Sequence, residues 1–368
     1  MISKKLKIFR ESVFKYTLKD VEQKTGIGQS SLSDFENDKR EPSIHQLSVL
    51  AKLYNVPVSR FFQDTDELVC DLVLWREEPS DTTLKAELET KFKKLCKQYR
   101  NLEIWTKSPL EKDFVSFFLK SFPNDEENVR FQARNIRHKL GLGKYPGKSL
   151  FRILEEKYFV KIFNLDLRSS SAVCCHSNEV GSAIALNVTN SMYRRNFDLA
   201  HELFHLLTWS FVNKQQKDVM EEYADVFASE LLMPKDSIME SVDDFLRKDS
   251  KKLSFNDIVS ISRRFVVSIE ALMWRIRKVY NVDFEHTKEI IGKIKKYACE
   301  IKVKQNTEQN MGGLNKFPER YVNLAFEALK IGEISTKQCA NYLERNISDL
   351  LEMNLWSGGD SKIDISFV

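Results

Sequence analysis

Asn196–Leu207 reads NFDLAHELFHLL, and its spacing decides how the middle of the chain folds. Leu199, Leu203, Leu206 and Leu207 recur three or four residues apart, the period of a helix with one apolar face. His201 and His205 stand four residues apart, one above the other on such a helix. Glu202 lies about 100° round from His201. Two imidazoles so placed can hold one metal ion, and the intervening carboxylate can hold a water on that ion without ligating it.

Such a centre needs a third protein ligand. Downstream, Asp218–Pro234 reads DVMEEYADVFASELLMP. Glu221 and Asp225 sit at i and i+4 of a second amphipathic helix, so Glu221 can reach the ion while Asp225 accepts a hydrogen bond from a ligand histidine. Glu222 is the rival third ligand, but it points about 100° away and has no acid four residues on.

RRNFDLAHELFHLL followed by EEYADVFASELLMP resembles the ImmA/IrrE family of zinc metallopeptidases. More broadly it is similar to the glutamate-ligand zincins, in which a downstream E-x-x-x-D supplies the third ligand. The resemblance continues through SFNDIVSISRRFVVSIEALMWRI and the tail FPERYVNLAFEALKIGEISTKQCANYLERNISDLL. It implies Zn2+ held by His201, His205 and Glu221, Glu202 as general base, and Asp225 as the outer acceptor. Phe204 departs from the family, which has glycine there. Peptide hydrolysis also needs a donor to the developing oxyanion, and Tyr193, Tyr223, Arg263 and Arg275 are candidates.

The first sixty residues have a different character. Short helices are expected over Lys5–Val13, Leu18–Lys24 (capped by Thr17 and stopped at Gly26), from Gln29 through QSSLSDFEND, and over IHQLSVLAKLYNV after the Ser43 cap, with a final turn at SRFF. Val21, Ile27, Leu32, Phe35, Leu47, Leu50, Ala51, Tyr54 and Val56 fit one shared core. TLKDVEQKTGIGQSSLSDFENDKREPS with LSVLAKLYNVPVSRFF resembles the repressor-type (Xre) helix-turn-helix family. By that resemblance Gln29, Ser30, Ser31 and Ser33 line the recognition helix, and Lys39 and Arg40 lie near the phosphate backbone. Glu22 stands where the family has a small residue, and Asp34 where a basic one is common.

Between these regions LVLWREEPSD reads as an extended connector. Leu84, Leu88, Phe92, Leu95, Tyr99 and Leu102 then form a heptad-like seam. That seam serves either a homodimer through residues 84–102 or packing within its own chain. NVRFQARNIRHKLGLG and SLFRILEEKYF read as helices, VKIFNLDL and GSAIALNV as strands. GSAIALNV is either an edge to which an extended peptide adds itself or a buried structural strand. After the polar VKQNTEQNMGG linker, the tail reads helix, turn, helix with Ser335 as cap, either a docking module or a lid. Six cysteines lack metal-type spacing and are expected as reduced structural thiols, and His45, His138, His176 and His286 as surface or core residues.

The chain of 368 residues carries 42% hydrophobic and 30% charged residues with net charge +4. It has no apolar run long enough for a signal peptide or a membrane span, so a cytoplasmic protein without a membrane partner is expected. The fold class is α+β, mostly helical. An all-α helix-turn-helix domain (1–65) is followed by a connector (66–125), a zincin-like metallopeptidase domain with a small sheet (126–302) and a helical module (313–368). The functional expectation is a DNA-binding transcriptional regulator that recognises a double-stranded operator and whose zinc peptidase cleaves a repressor- or antitoxin-like partner. The alternatives are a non-catalytic transcription factor with a structural or sensory zinc site, and a module whose helix-turn-helix binds protein.

Overall fold

The computed structural model describes residues 2–13, 16–54, 58, 61, 72–108, 114–177, 179–246, 253–304, 316–348 and 350. Val56, most of the SRFF turn, the start of the connector, most of the glycine-containing linker and the last residues of the tail lie outside that set. The chain divides into two compact units, residues 1–72 together with 177–179, and the remainder.

In the first unit α1 (Ile2–Ile8) passes into a π-helical turn, Phe9–Val13, rather than continuing as the single α-helix expected over Lys5–Val13. At that turn two consecutive side chains have inward tasks. Phe9 stacks on Tyr54 at 5.6 Å, and Arg10 makes two hydrogen bonds to Glu36, 2.7 and 2.6 Å. A wider turn is the local backbone form that accompanies both. Three helices follow: α2 (Leu18–Thr25), α3 (Gln29–Glu36) and α4 (Ile44–Leu53). Thr17 and Ser43 cap α2 and α4 through reciprocal capping boxes with Asp20 and Gln46, and Gly26 closes α2 at φ 71°. All the expected core residues that are described are buried, joined by Leu6, Phe9 and Phe61.

The second unit begins with β1 (Leu74–Arg76) and α5 (Thr82–Trp105). Then come α6 (Glu126–Leu140), the short α7 (Leu150–Arg152), β2 (Lys161–Leu165), β3 (Ala172–Ser177) and β4 (Gly181–Asn187). Helices α8 (Met192–Leu207), α9 (Lys217–Leu232), α10 (Lys235–Leu246), α11 (Phe255–Phe265), α12 (Ile269–Tyr280) and α13 (Phe284–Lys304) complete its centre. The tail supplies α14 (Glu319–Lys330) and α15 (Thr336–Leu343).

The sheet order is β1-β3-β4-β2, with β1 antiparallel to β3 and β2 parallel to β4. Every residue of β2, β3 and β4 is buried, so the adjacent thiols of Cys174 and Cys175 both face protein. Strand β4 is internal. The edge considered for GSAIALNV is therefore taken on both sides, and its structural alternative holds. One face of the sheet supports α8, which packs against α9, and α9 packs in turn on α6.

Helix α5 forms over the predicted seam, but the seam is spent inside the chain. Phe92, Leu95, Tyr99 and Leu102 are at most 3% exposed, while Leu84 and Leu88 are half-buried. Tyr99 packs against Phe163 of β2 and Tyr321 of α14. An apolar stripe already covered by the tail has little left to offer a second chain. The tail accordingly acts as a packing layer on α5 and β2.

Candidate metal centre and nucleic-acid interface

Helix α8 starts at the Ser191 cap and buries twelve of its sixteen residues. That burial brings His201 and His205 inside, 1% and 3% exposed. Their Nε2 atoms lie 3.1 Å apart. Helix α9 brings Glu221 to the same point, with Oε2 3.1 Å from His201 Nε2 and Oε1 3.4 Å from His205 Nε2. One ligand atom from each of the three falls within 4.8 Å of the others, and no further group of this kind exists among the described residues. Two ligands about 2.0–2.1 Å from a tetrahedral ion stand about 3.3 Å apart, so the spacing fits zinc. Glu222 is exposed and faces a neighbouring cavity of about 420 Å³, outside this donor set.

The surroundings fix the donors' orientation. His201 Nδ1 donates to Asp225 Oδ1 at 2.8 Å, which leaves its Nε2 lone pair aimed at the shared point. Asp225 Oδ1 also accepts from Arg76 at 3.0 Å, and Arg76 reaches the fully buried Asp198 at 3.1 Å. A strand 125 residues upstream of His201 thus holds the shell around it. Burial works against charge on His201, but hydrogen bonds to Asp225 and Glu221 hold its pKa above the ordinary imidazole value. Burial likewise pushes the Asp198 carboxyl up to about 6 against the pull of Arg76 and Arg194.

Glu202 is the anomaly. It is 0% exposed, and neither carboxylate oxygen has a nitrogen or oxygen hydrogen-bond partner among the described residues. The one donor beside it is the Cys174 thiol, a weak one, pushed up by burial first and by the charge of and hydrogen bond to that carboxylate after it. A buried carboxylate with only a thiol for a partner is costly. Its position next to three converging donors is where a water on a bound ion would supply the missing hydrogen bonds.

Phe204, in the place where the family has glycine, is wholly buried and packs against Phe227 of α9 and against Phe122. It fills the core between helices, and its ring also stands edge-on to that of His205, centroids 6.2 Å apart. Of the oxyanion candidates, Arg275 is committed to Glu230 at 2.6 Å and to the Met233 carbonyl. Tyr223 donates to the Asn124 carbonyl at 3.2 Å, and Tyr193 lines the 420 Å³ cavity beside Asp225. His176 is neutral and structural: burial first, then Lys161, lowers its pKa to about 4, and its Nδ1 meets Ser182 Oγ at 2.9 Å.

Sequence reasoning missed Arg76 and Asp198. Arg76 carries no local signal, because its partner Asp225 is 149 residues away. Asp198 did carry one, an acid three residues before a ligand, on the same polar face of the helix as His201, Glu202 and His205.

In the first unit, Gln29 and Ser30 at the start of α3 are exposed, Ser31 and Ser33 are half-buried, and Lys39 and Arg40 are exposed just beyond its end. Gly28 offers no side-chain cap to α3. Glu22 takes that role, accepting from the Gln29 backbone at 3.3 Å and the Gln29 amide at 2.5 Å. The departure at Glu22 therefore has a physical reason: a carboxylate at an otherwise uncapped helix N-terminus.

The molecule is thus a helix-turn-helix unit joined in sequence to an α+β unit with a buried His-His-Glu donor set. Residues 6–61 match the helix-turn-helix family model, and residues 156–277 match the peptidase family described as the IrrE N-terminal-like domain, so the chain carries both domains in that order. None of the curated proteins matches the chain. The solved structure of Bacillus thuringiensis PlcR in complex with the peptide PapR7 and DNA aligns over 97% of both chains at 13% identity, with a TM-score of 0.19. A TM-score that low carries no argument about fold or function. Among the described residues no helix is long and apolar enough to cross a membrane.

Proposed function

We propose that the chain is a cytoplasmic transcriptional regulator: a helix-turn-helix domain that binds a double-stranded DNA operator, and a zinc peptidase that cleaves a repressor- or antitoxin-like partner. The observation that carries the peptidase reading is Glu202, buried with no partner but the weak Cys174 thiol beside the His201–His205–Glu221 donor set. The family match supports it with a metallopeptidase fold.

A zinc ion held by His201, His205 and Glu221 would polarise the scissile carbonyl and lower the pKa of its water. Glu202 takes the proton from the attacking water and delivers it to the leaving amine. Asp225 keeps His201 in the tautomer that presents Nε2, and Arg76 holds Asp225 in place. In the head, Gln29, Ser30, Ser31 and Ser33 face the bases while Lys39 and Arg40 meet phosphates.

Glu202→Gln tests the peptidase. Zinc content should stay at one ion per chain while cleavage of a co-expressed partner repressor disappears. If wild type never cleaves and Glu202→Gln leaves regulation intact, the zinc site is structural or sensory instead. For the head, deleting residues 1–65 should abolish a salt-dependent gel shift, and unchanged DNA binding would sink that assignment.

A further inference from the structure

We propose that the cavity beside Arg195 is a binding site for a small organic carboxylate with an apolar body. The site is independent of peptide cleavage and goes beyond the regulator reading.

Arg195 sits in the first turn of α8, six residues before His201, which places it about 120° round the helix from the metal face. It is 8% exposed, and its Nη1 is buried without a hydrogen-bond partner. No carboxylate pairs with it among the described residues. A guanidinium keeps its charge at any working pH, and burying a charge without a counter-charge is costly. Every other buried arginine of α8 and its neighbours has an acid: Arg76 has Asp198, and Arg275 has Glu230. Among the described residues Arg195 lacks one, and it lines a cavity.

That cavity measures about 290 Å³ and is walled by Phe151, Leu186, Met192, Leu199 and Val266, with Asn164 and Asn196 as the other polar residues. It has room for on the order of ten water-sized groups. The wall is deliberately shaped. Val266 adopts a left-handed backbone at φ 55°, rare for a β-branched residue, and its carbonyl accepts from the Asn196 amide at 2.8 Å. Gly147 closes the floor, where a Cβ would come within 2.3 Å of the Phe265 carbonyl and 2.5 Å of the Asn196 amide.

A single planar, bidentate cation in an apolar pocket selects a carboxylate carried on an apolar body. A bare inorganic anion would leave the walls unmatched, and a neutral apolar molecule would leave the guanidinium unpaired.

The test uses the full chain and three probes: hexanoate, hexanamide and inorganic phosphate, read by thermal shift and titration calorimetry. Hexanoate should raise the melting temperature with a saturating dose response, and hexanamide should bind at least tenfold more weakly. Arg195→Met should abolish the hexanoate response while raising the basal melting temperature. Should that variant fail to fold, Met192→Trp decides, because Met192 is 42% exposed at the rim and a larger side chain there fills the cavity. Loss of the hexanoate response in Met192→Trp supports the site. The proposal is overturned by no response to hexanoate, by equal responses to hexanoate and hexanamide, by phosphate matching hexanoate, or by hexanoate binding that survives either substitution.

Discussion

Glu103 and Glu202 are both 0% exposed carboxylates of the same unit, and their surroundings are opposite. Glu103, near the end of α5, meets Arg320 at 2.6 Å, Lys161 at 3.1 Å and Arg100 at 3.5 Å. Glu202 meets no cation among the described residues, and its one neighbouring donor is the weak Cys174 thiol. The first arrangement ties the tail to the sheet and is complete in itself. The second is complete only when something else is bound. A buried charge is therefore informative through its partners: a full set marks architecture, and a missing one marks a site.

The largest effect expected from breaking this contrast is on turnover. Glu202→Gln should lower the rate of partner cleavage by about 10²–10⁴, the range of general acid–base catalysis. In the ion-free protein the same change should raise stability by about 1 kcal/mol, since it removes an unpaired buried charge. Glu103→Gln should do the reverse, leaving the metal donors intact and costing about 3–5 kcal/mol by stranding Lys161 and Arg320. Chemical denaturation of the two variants side by side checks both signs.

Within the centre, Asp225→Asn should weaken zinc affinity by about 10–100-fold, read by competition with a chelator. Arg76→Met should act in the same direction through Asp225, and less strongly. Zinc affinity should also fall with acid. In the ion-free site, His201 has a raised pKa. The stability it contributes is full below the unfolded value of 6.5 and is lost as pH rises through the raised one. An incoming ion must displace that proton. Affinity should therefore weaken by up to about tenfold per pH unit below the raised pKa, measured by zinc titration at several pH values.

The smallest effect belongs to the head. Thr17→Ala removes a cap whose hydroxyl accepts from the Asp20 backbone, and should cost about 1 kcal/mol with no change in zinc affinity.

The head was legible in sequence because its determinants are local. Caps at Thr17 and Ser43, the left-handed Gly26 and the period of Val21, Leu32, Leu47 and Leu50 all act over a few residues. HELFH and E-x-x-x-D were legible for the same reason, since i and i+4 geometry aligns each pair on its own helix. That His201, His205 and Glu221 meet required α8 to pack on α9, which spacing suggests but does not enforce.

The sequence by itself determined which residue types could meet at the centre and that two amphipathic helices would carry them, because periodicity is short-range. Only the tertiary structure decided that the α5 seam is closed by the tail, that β4 is internal, that Arg76 supports Asp225 from 149 residues away, and that Arg195 and Glu202 are buried without a counter-charge among the described residues. Those facts depend on which surfaces exclude water together, and burial is a property of the packed chain, not of any segment of it.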